Sequence, residues 1–195
     1  MIKLTLDKVK QLAISAKGQI NKIYLHWSAG HYAKGNEDLL YLNDYHISID
    51  FDGAAYSDGN PLTTHKNHTY MRNTGAISVS IMCCADATSN YNMGTEPPTN
   101  AQIETMAQVL GVLCKYLELP VDLQHVMNHA EAGNNLDGED PGYDSYGPDP
   151  NPDGSKGGDC ERWDLWVIKQ GNAPWSGGDD IRGKAEWYIE SGELP

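Results

Sequence analysis

Basic residues are scarce in this 195-residue chain: 14 Lys and Arg stand against 27 Asp and Glu, for a formal net charge of -13. A nucleic-acid binder needs a basic footprint to displace counterions, so that class is excluded. Long apolar runs are also missing. No stretch reaches the roughly eighteen residues that a membrane-spanning helix requires. The start, Met1-Ile2-Lys3-Leu4-Thr5-Leu6-Asp7, lacks an apolar segment leading to a small-residue cleavage site, so no signal peptide is expected. Of the four cysteines, Cys83, Cys84, Cys114 and Cys160, none forms a CxxC pair, which excludes a cysteine-rich zinc knuckle. The first three are expected to be buried free thiols. HExxH is absent, as are internal repeats and any convincing linker between domains.

What is present suits one folded domain over residues 1–195, since 39% of residues are hydrophobic and 21% charged. Apolar positions Leu6, Val9, Leu12, Ala13 and Ala16 predict a short amphipathic helix over residues 5–16, ended by Gly18. Lys22-Ile23-Tyr24-Leu25-His26-Trp27 reads as a strand, and residues 37–43 as a short helix. Residues 45–50 and 54–58 form a hairpin about Asp52-Gly53. A polar loop spans 60–74, and the apolar stretch 76–84 is the candidate central strand. Thr99 and Gln102 make a capping box for the clearest helix, whose stripe runs through Ile103, Met106, Ala107, Leu110, Leu113, Cys114 and Leu117. Residues 121–127 form a short apolar element, and 133–159 a Gly-, Asp-, Asn- and Pro-rich loop. A helix is expected to start over 163–168, and Gly177-Gly178-Asp179-Asp180 to cap another over 181–189.

Three residues stand apart from this core pattern. His26 ends a strand, His129 follows an apolar segment, and Asp159 closes the long loop. Two imidazoles and a carboxylate leave one position on zinc open, as a catalytic site requires. Spacing alone does not select this trio, because seven histidines allow many combinations.

A resemblance narrows the choice. Ile23-Tyr24-Leu25-His26-Trp27-Ser28-Ala29-Gly30 resembles the strand that carries the first histidine ligand in the zinc amidase family shared by phage lysozyme-like amidases, bacterial recycling amidases and peptidoglycan recognition proteins. Further similar stretches follow in order: residues 44–53, residues 68–81, the helix over 99–117, Asn128-His129-Ala130-Glu131, and Gly158-Asp159-Cys160-Glu161-Arg162-Trp163-Asp164-Leu165-Trp166. Together they span about residues 20–168, leaving 171–195 as a family-specific extension. The resemblance implies an α/β fold with a central mixed β-sheet flanked by helices and the metal at one sheet end. It implies one zinc ion held by His26, His129 and Asp159, with Cys160 as the alternative third ligand. The implied reaction is hydrolysis of the amide between N-acetylmuramic acid and L-alanine in bacterial peptidoglycan.

Catalytic and binding roles follow from the same resemblance. Tyr45 matches the family's relay tyrosine, preferred because Ser80 stands where other members carry a glutamate. A phenol with a free pKa near 10 orients and relays protons more than it acts as a bulk base. The second catalytic polar group is expected at Lys156, one residue from the usual place, which here is Gly157. Trp27, His68, Arg72 and Asn73 are the candidate substrate contacts, Arg72 because its fork matches a carboxylate. Glu131 is a candidate to tune His129, His46 to pack behind the site, and His31 to lie exposed at its rim.

Asp149-Pro150-Asn151-Pro152-Asp153-Gly154 imitates half a calcium loop. Cys160 occupies the position where the loop needs glutamate, so calcium is not expected. A peptidoglycan-binding module without activity and a zinc peptidase acting within the stem peptide are the competing readings. The expected partners are peptidoglycan or muropeptides, with a monomer as the working state. The compact form suggests a phage or prophage endolysin, made in the cytoplasm and reaching the wall by holin-type release or as a virion component.

Overall fold

The computed structural model describes residues 1–40, 43–88, 92–139 and 164–195. In chain order the elements are β1 (Ile2–Leu4), α1 (Leu6–Ala16), β2 (Lys22–Trp27), α2 (Glu37–Leu40), β3 (Ile47–Ile49), β4 (Ala55–Ser57), β5 (Ala76–Ile81), α3 (Asn100–Leu117), β6 (Val126–Asn128), α4 (His129–Gly133) and α5 (Ser176–Ser191). The strands form one mixed sheet in the order β1-β4-β3-β5-β2-β6. β5 runs parallel to β2 and β3, and β2 parallel to β6, while β4 pairs antiparallel with β1 and β3.

Alternation along the strands gives the sheet two different faces. Ile23, Leu25 and Trp27 of β2, Ile77, Val79 and Ile81 of β5, and Ile47 and Ile49 of β3 join one apolar core with the buried stripes of α1 and α3. Full burial of each aliphatic side chain contributes about 2 kcal/mol. The opposite face carries polar groups. His26 stands in register with Ser80, Ser80 with Ser48, and Tyr24 with Ser78. All five of these residues are buried, so this polar layer lies under the 60–74 loop rather than in water.

Local signals place the helices. The Thr5 hydroxyl accepts from the Lys8 amide and starts α1. Thr99 and Gln102 form the expected capping box at α3. Thr99 also donates to the Phe51 carbonyl at 2.7 Å, and Gln102 Nε2 donates to the carbonyls of Ile49 (3.2 Å) and Met82 (2.9 Å), tying α3 to the ends of β3 and β5. The hairpin turn is as predicted, with Gly53 at φ 84°.

Three elements differ from expectation. β1 forms an edge strand that its three residues did not announce. Residues 164–168 form turns instead of a helix, because Leu165 adopts φ 59° and the carbonyls of Leu165 and Trp166 accept from Asn128 Nδ2 and the Gly177 amide. α5 begins at Ser176 rather than after Asp180, with Trp175 at its N-cap in the left-handed region and no side-chain cap. No helix among the described residues is long and apolar enough to cross a membrane. Cys83, Cys84 and Cys114 are buried free thiols, and Cys160 lies outside the described residues.

His46 closes the polar layer. Its Nδ1 accepts from the Ser78 amide at 3.1 Å and its Nε2 donates to the Thr64 carbonyl at 2.8 Å, which fixes the neutral tautomer. Burial lowers its pKa from 6.5 to about 4, with the Thr64 bond opposing. The unfolded chain therefore binds a proton that the folded chain refuses. The resulting stabilisation is complete above pH 6.5 and is lost as pH falls from 6.5 to about 4. It amounts to about 3 kcal/mol. Urea unfolding across this window should show that decline, and His46→Gln should flatten it.

Candidate metal centre

His26 lies near the C-terminal end of β2, and His129 opens α4 where β6 ends. Because β2 and β6 are parallel neighbours, both imidazoles emerge at the same end of the sheet. The Asn128 side chain accepts from the Glu131 amide at 2.7 Å, while the Glu131 carboxylate accepts from the Asn128 amide at 2.9 Å, which fixes the turn into α4. Asn128 Nδ2 also reaches the Leu165 carbonyl at 2.8 Å. That bond brings Asp164 to the two histidines.

The three donors make a nearly equilateral triangle. His26 Nδ1 lies 3.0 Å from His129 Nδ1, and Asp164 Oδ2 lies 3.3 Å from the first and 3.2 Å from the second. Tetrahedral coordination with bonds near 2.0–2.1 Å gives ligand-to-ligand edges of about 3.3 Å. His26, His129 and Asp164 are 0%, 4% and 8% exposed, so water does not separate the three donors. With both imidazoles neutral, this geometry can present two nitrogen lone pairs and a carboxylate to one cation. The donor set fits zinc in type, number and spacing.

Burial by itself would raise the Asp164 pKa, but the charges and hydrogen bonds of His129 and His26 outweigh it and hold the carboxyl well below the ordinary range. Thr69 Oγ1 lies 3.4 Å from His26 Nε2 and 3.0 Å from His68 Nδ1, bridging the two rings. His68 packs edge-on to His26 at 5.5 Å. Burial, followed by repulsion from His26 and His46, lowers its pKa strongly. Among the described residues its buried Nε2 has no hydrogen-bond partner, nor does the Ser80 hydroxyl beside His26 in the sheet register. Tyr45 is half-buried, its ring centred 5.2 Å from that of His26.

The structure thus gathers His26, His129, Tyr45 and His68. Asp159, Cys160 and Lys156, together with residues 149–154, lie outside the described residues. Asp164, which meets the histidines, had not been singled out. One signal pointed to it: it is the only charged residue in Asp164-Leu165-Trp166-Val167-Ile168.

Three expectations need correction. Trp27 is 4% exposed and packed in the main core, because its strand position points away from the polar face, so it offers no stacking surface. Arg72 gives its fork to Asp137, at 2.7 and 3.2 Å, and also donates to Asn135 Oδ1 and the Glu139 carbonyl. Asn73 accepts from the amides of His68 and Thr69, shaping the loop. Glu131 accepts from the Asn128 amide and pairs with Arg182, which puts its carboxylate behind the turn that carries His129. By contrast His31 lies exposed beside Glu96, and His46 is packed, both as expected.

The Arg72 and Asp137 side chains are 5% and 0% exposed, and Arg72→Ala removes the fork from a buried carboxylate that keeps only Lys22 Nζ, at 2.5 Å, as an ion-pair partner among the described residues. A loss of about 2 kcal/mol is expected in urea unfolding. Removing Asp137 as well should recover much of it, with little change in KM.

Residues 16–143 match the sequence profile of the family described as N-acetylmuramoyl-L-alanine amidase. No curated protein matches the chain. Similar solved structures include N-acetylmuramoyl-L-alanine amidase LysC from Clostridium intestinale URNW, at 18% identity and TM-score 0.43, covering 58% of this chain and 72% of that one. The Ph2119 endolysin from Thermus scotoductus MAT2119 bacteriophage Ph2119 gives 16%, 0.42, 57% and 72% for the same measures. Drosophila peptidoglycan recognition protein SD gives 13%, 0.44, 57% and 70%. With identities and scores this low, the assignment rests on the profile, which covers well over half of the chain and includes both histidines. The chain is an enzyme of the N-acetylmuramoyl-L-alanine amidase family.

Proposed function

We propose that the chain hydrolyses the bond between N-acetylmuramic acid and L-alanine in peptidoglycan as a zinc-dependent, endolysin-type amidase. The observation that carries this reading is the triangle of donors formed by His26, His129 and Asp164 within a chain of this family. His26 and His129 would hold the ion through Nδ1, and Asp164 through a carboxylate that stays anionic and offsets part of the ion's charge. When bound, zinc polarises a carbonyl oxygen and lowers the pKa of water.

The surrounding residues orient and shuttle protons. The Thr69 hydroxyl faces His26 Nε2 and fixes the imidazole so that Nδ1 points at the other donors. Tyr45, beside His26, accepts a proton from the attacking water and delivers one to the departing amine, acting as a relay. Ser80 occupies the neighbouring register position with a hydroxyl, which can donate a hydrogen bond but is a poor base at neutral pH. The relay therefore falls to Tyr45. His68 presents a buried Nε2 that has no partner among the described residues, suited to a polar group of the substrate. The endolysin assignment rests on the resemblance of the short motifs around His26 and His129 to those of phage amidases.

Mass spectrometry of digested sacculi and of soluble muropeptides tests the bond and the substrate form. New muramoyl ends together with peptides beginning at L-alanine are expected. Cleavage within the stem peptide, or no cleavage, would overturn the reading. Asp164→Ala should lose stoichiometric zinc, whereas Asp159→Ala should keep it; the reverse result would make Asp159 the ligand. For Tyr45→Phe, turnover should drop about 100-fold with zinc retained. Wild-type turnover in that variant would remove the relay.

A further inference from the structure

The C-terminal helix α5 lies beyond the span that matches the family, yet its first turns touch both supports of the donor triangle. Arg182 meets Glu131 fork to fork, with both nitrogen-to-oxygen distances at 2.8 Å, and donates to the Val126 carbonyl at 2.9 Å. Both side chains are buried, at 8% and 4% exposure. Glu131 is the residue whose carboxylate fixes the Asn128 amide, immediately before His129. A desolvated, bidentate pair of this kind sets position as well as charge. The sheet edge at β6, the start of α4 and the helix α5 are therefore fastened at one guanidinium.

Two adjacent glycines make the second contact. The Gly177 amide donates to the Trp166 carbonyl at 3.0 Å, and a Cβ at Gly177 would lie 1.8 Å from the Leu165 carbonyl oxygen. A Cβ at Gly178 would lie 2.1 Å from Glu131 Oε1. These approaches are open only to residues without a side chain. One glycine backs the segment that begins at Asp164, and its neighbour backs the carboxylate behind His129. Because Asn128 also bonds the Leu165 carbonyl, the two supports are linked to each other as well as to α5.

We propose that α5 is a positioning element of the metal centre: Arg182, acting through Glu131, and Gly177-Gly178, acting through the 164–166 backbone, set the spacing between His129 and Asp164. This rests on the zinc reading above. Contacts behind the ligands commonly change metal affinity by about 10- to 100-fold when lost. None of these α5 residues belongs to the donor triangle, so their proposed effect on the chemistry runs through ligand geometry.

The test uses the full chain. Zinc affinity is measured by competition with a chromophoric chelator, ligand geometry by the visible absorption of the cobalt(II)-substituted protein, and folding by thermal denaturation without metal. Gly178→Ala and Arg182→Met should weaken zinc binding by about 10- to 100-fold and alter the cobalt spectrum. Arg182→Lys keeps the charge without the fork, and should recover part of the affinity. Trp187→Ala, on the exposed side of α5, should change neither readout. A purely structural role would lower the melting temperature while leaving the affinity and cobalt spectrum of the folded protein unchanged, and that result overturns the proposal. Should Gly178→Ala not fold, wild-type affinity and spectrum in Arg182→Lys and Arg182→Met would overturn it equally. Failure of the wild-type chain to bind zinc would instead remove the zinc reading, whereas wild-type binding with unaffected α5 variants would remove the positioning role alone.

Discussion

Two imidazole nitrogens and a carboxylate oxygen held 3.0–3.3 Å apart in a desolvated corner must share a proton or a cation, because burial removes the water that would otherwise satisfy them. The rest of the site follows from keeping this cluster together. The parallel pairing of β2 and β6 aims both histidines at one end of the sheet, and the capped turn at Asn128 sets the direction of His129. Asp164 arrives on a segment with almost no regular structure, held by backbone hydrogen bonds.

The sheet makes this possible by keeping two chemistries apart at single-residue resolution. In β2, Leu25 and Trp27 point into the aliphatic core while His26 between them points to the polar layer. The neighbouring strands supply small hydroxyl residues, Ser48, Ser78 and Ser80, on that second face. Bulky aliphatic groups there would fill the space that His46, His68 and the loop over them occupy. The same alternation explains why Trp27 is unavailable to a substrate although it adjoins a ligand in sequence.

Features whose cause is local were legible in the chain. The capping box at Thr99, the stripe through α3, the turn at Gly53 and the strand ending at His26 each depend on residues within a few positions of one another. His26 and His129 became candidates from a resemblance in short motifs, and the structure places their rings together. Asp164 carries only a weak local signal, its place at the head of an otherwise uncharged run, and its partners are 35 and 138 residues away. Arg72 read as a free carboxylate binder because Asp137 is 65 residues distant. Gly177-Gly178 read as part of a helix cap, whereas both glycines serve close approach by the backbone. Long-range pairing is what a single sequence conceals.

The helix α5 carries a consequence for how far the working unit extends. The match to the family profile ends at residue 143, after both histidines but before Asp164, Gly177 and Arg182. A chain cut at that boundary would retain most of the sheet while discarding one member of the donor triangle and leaving Glu131 buried without its counter-ion. Grafting the matched span onto another carrier would therefore transplant a fold without its centre. The minimal portable module includes α5, and its length is set by electrostatics and packing rather than by the reach of sequence similarity.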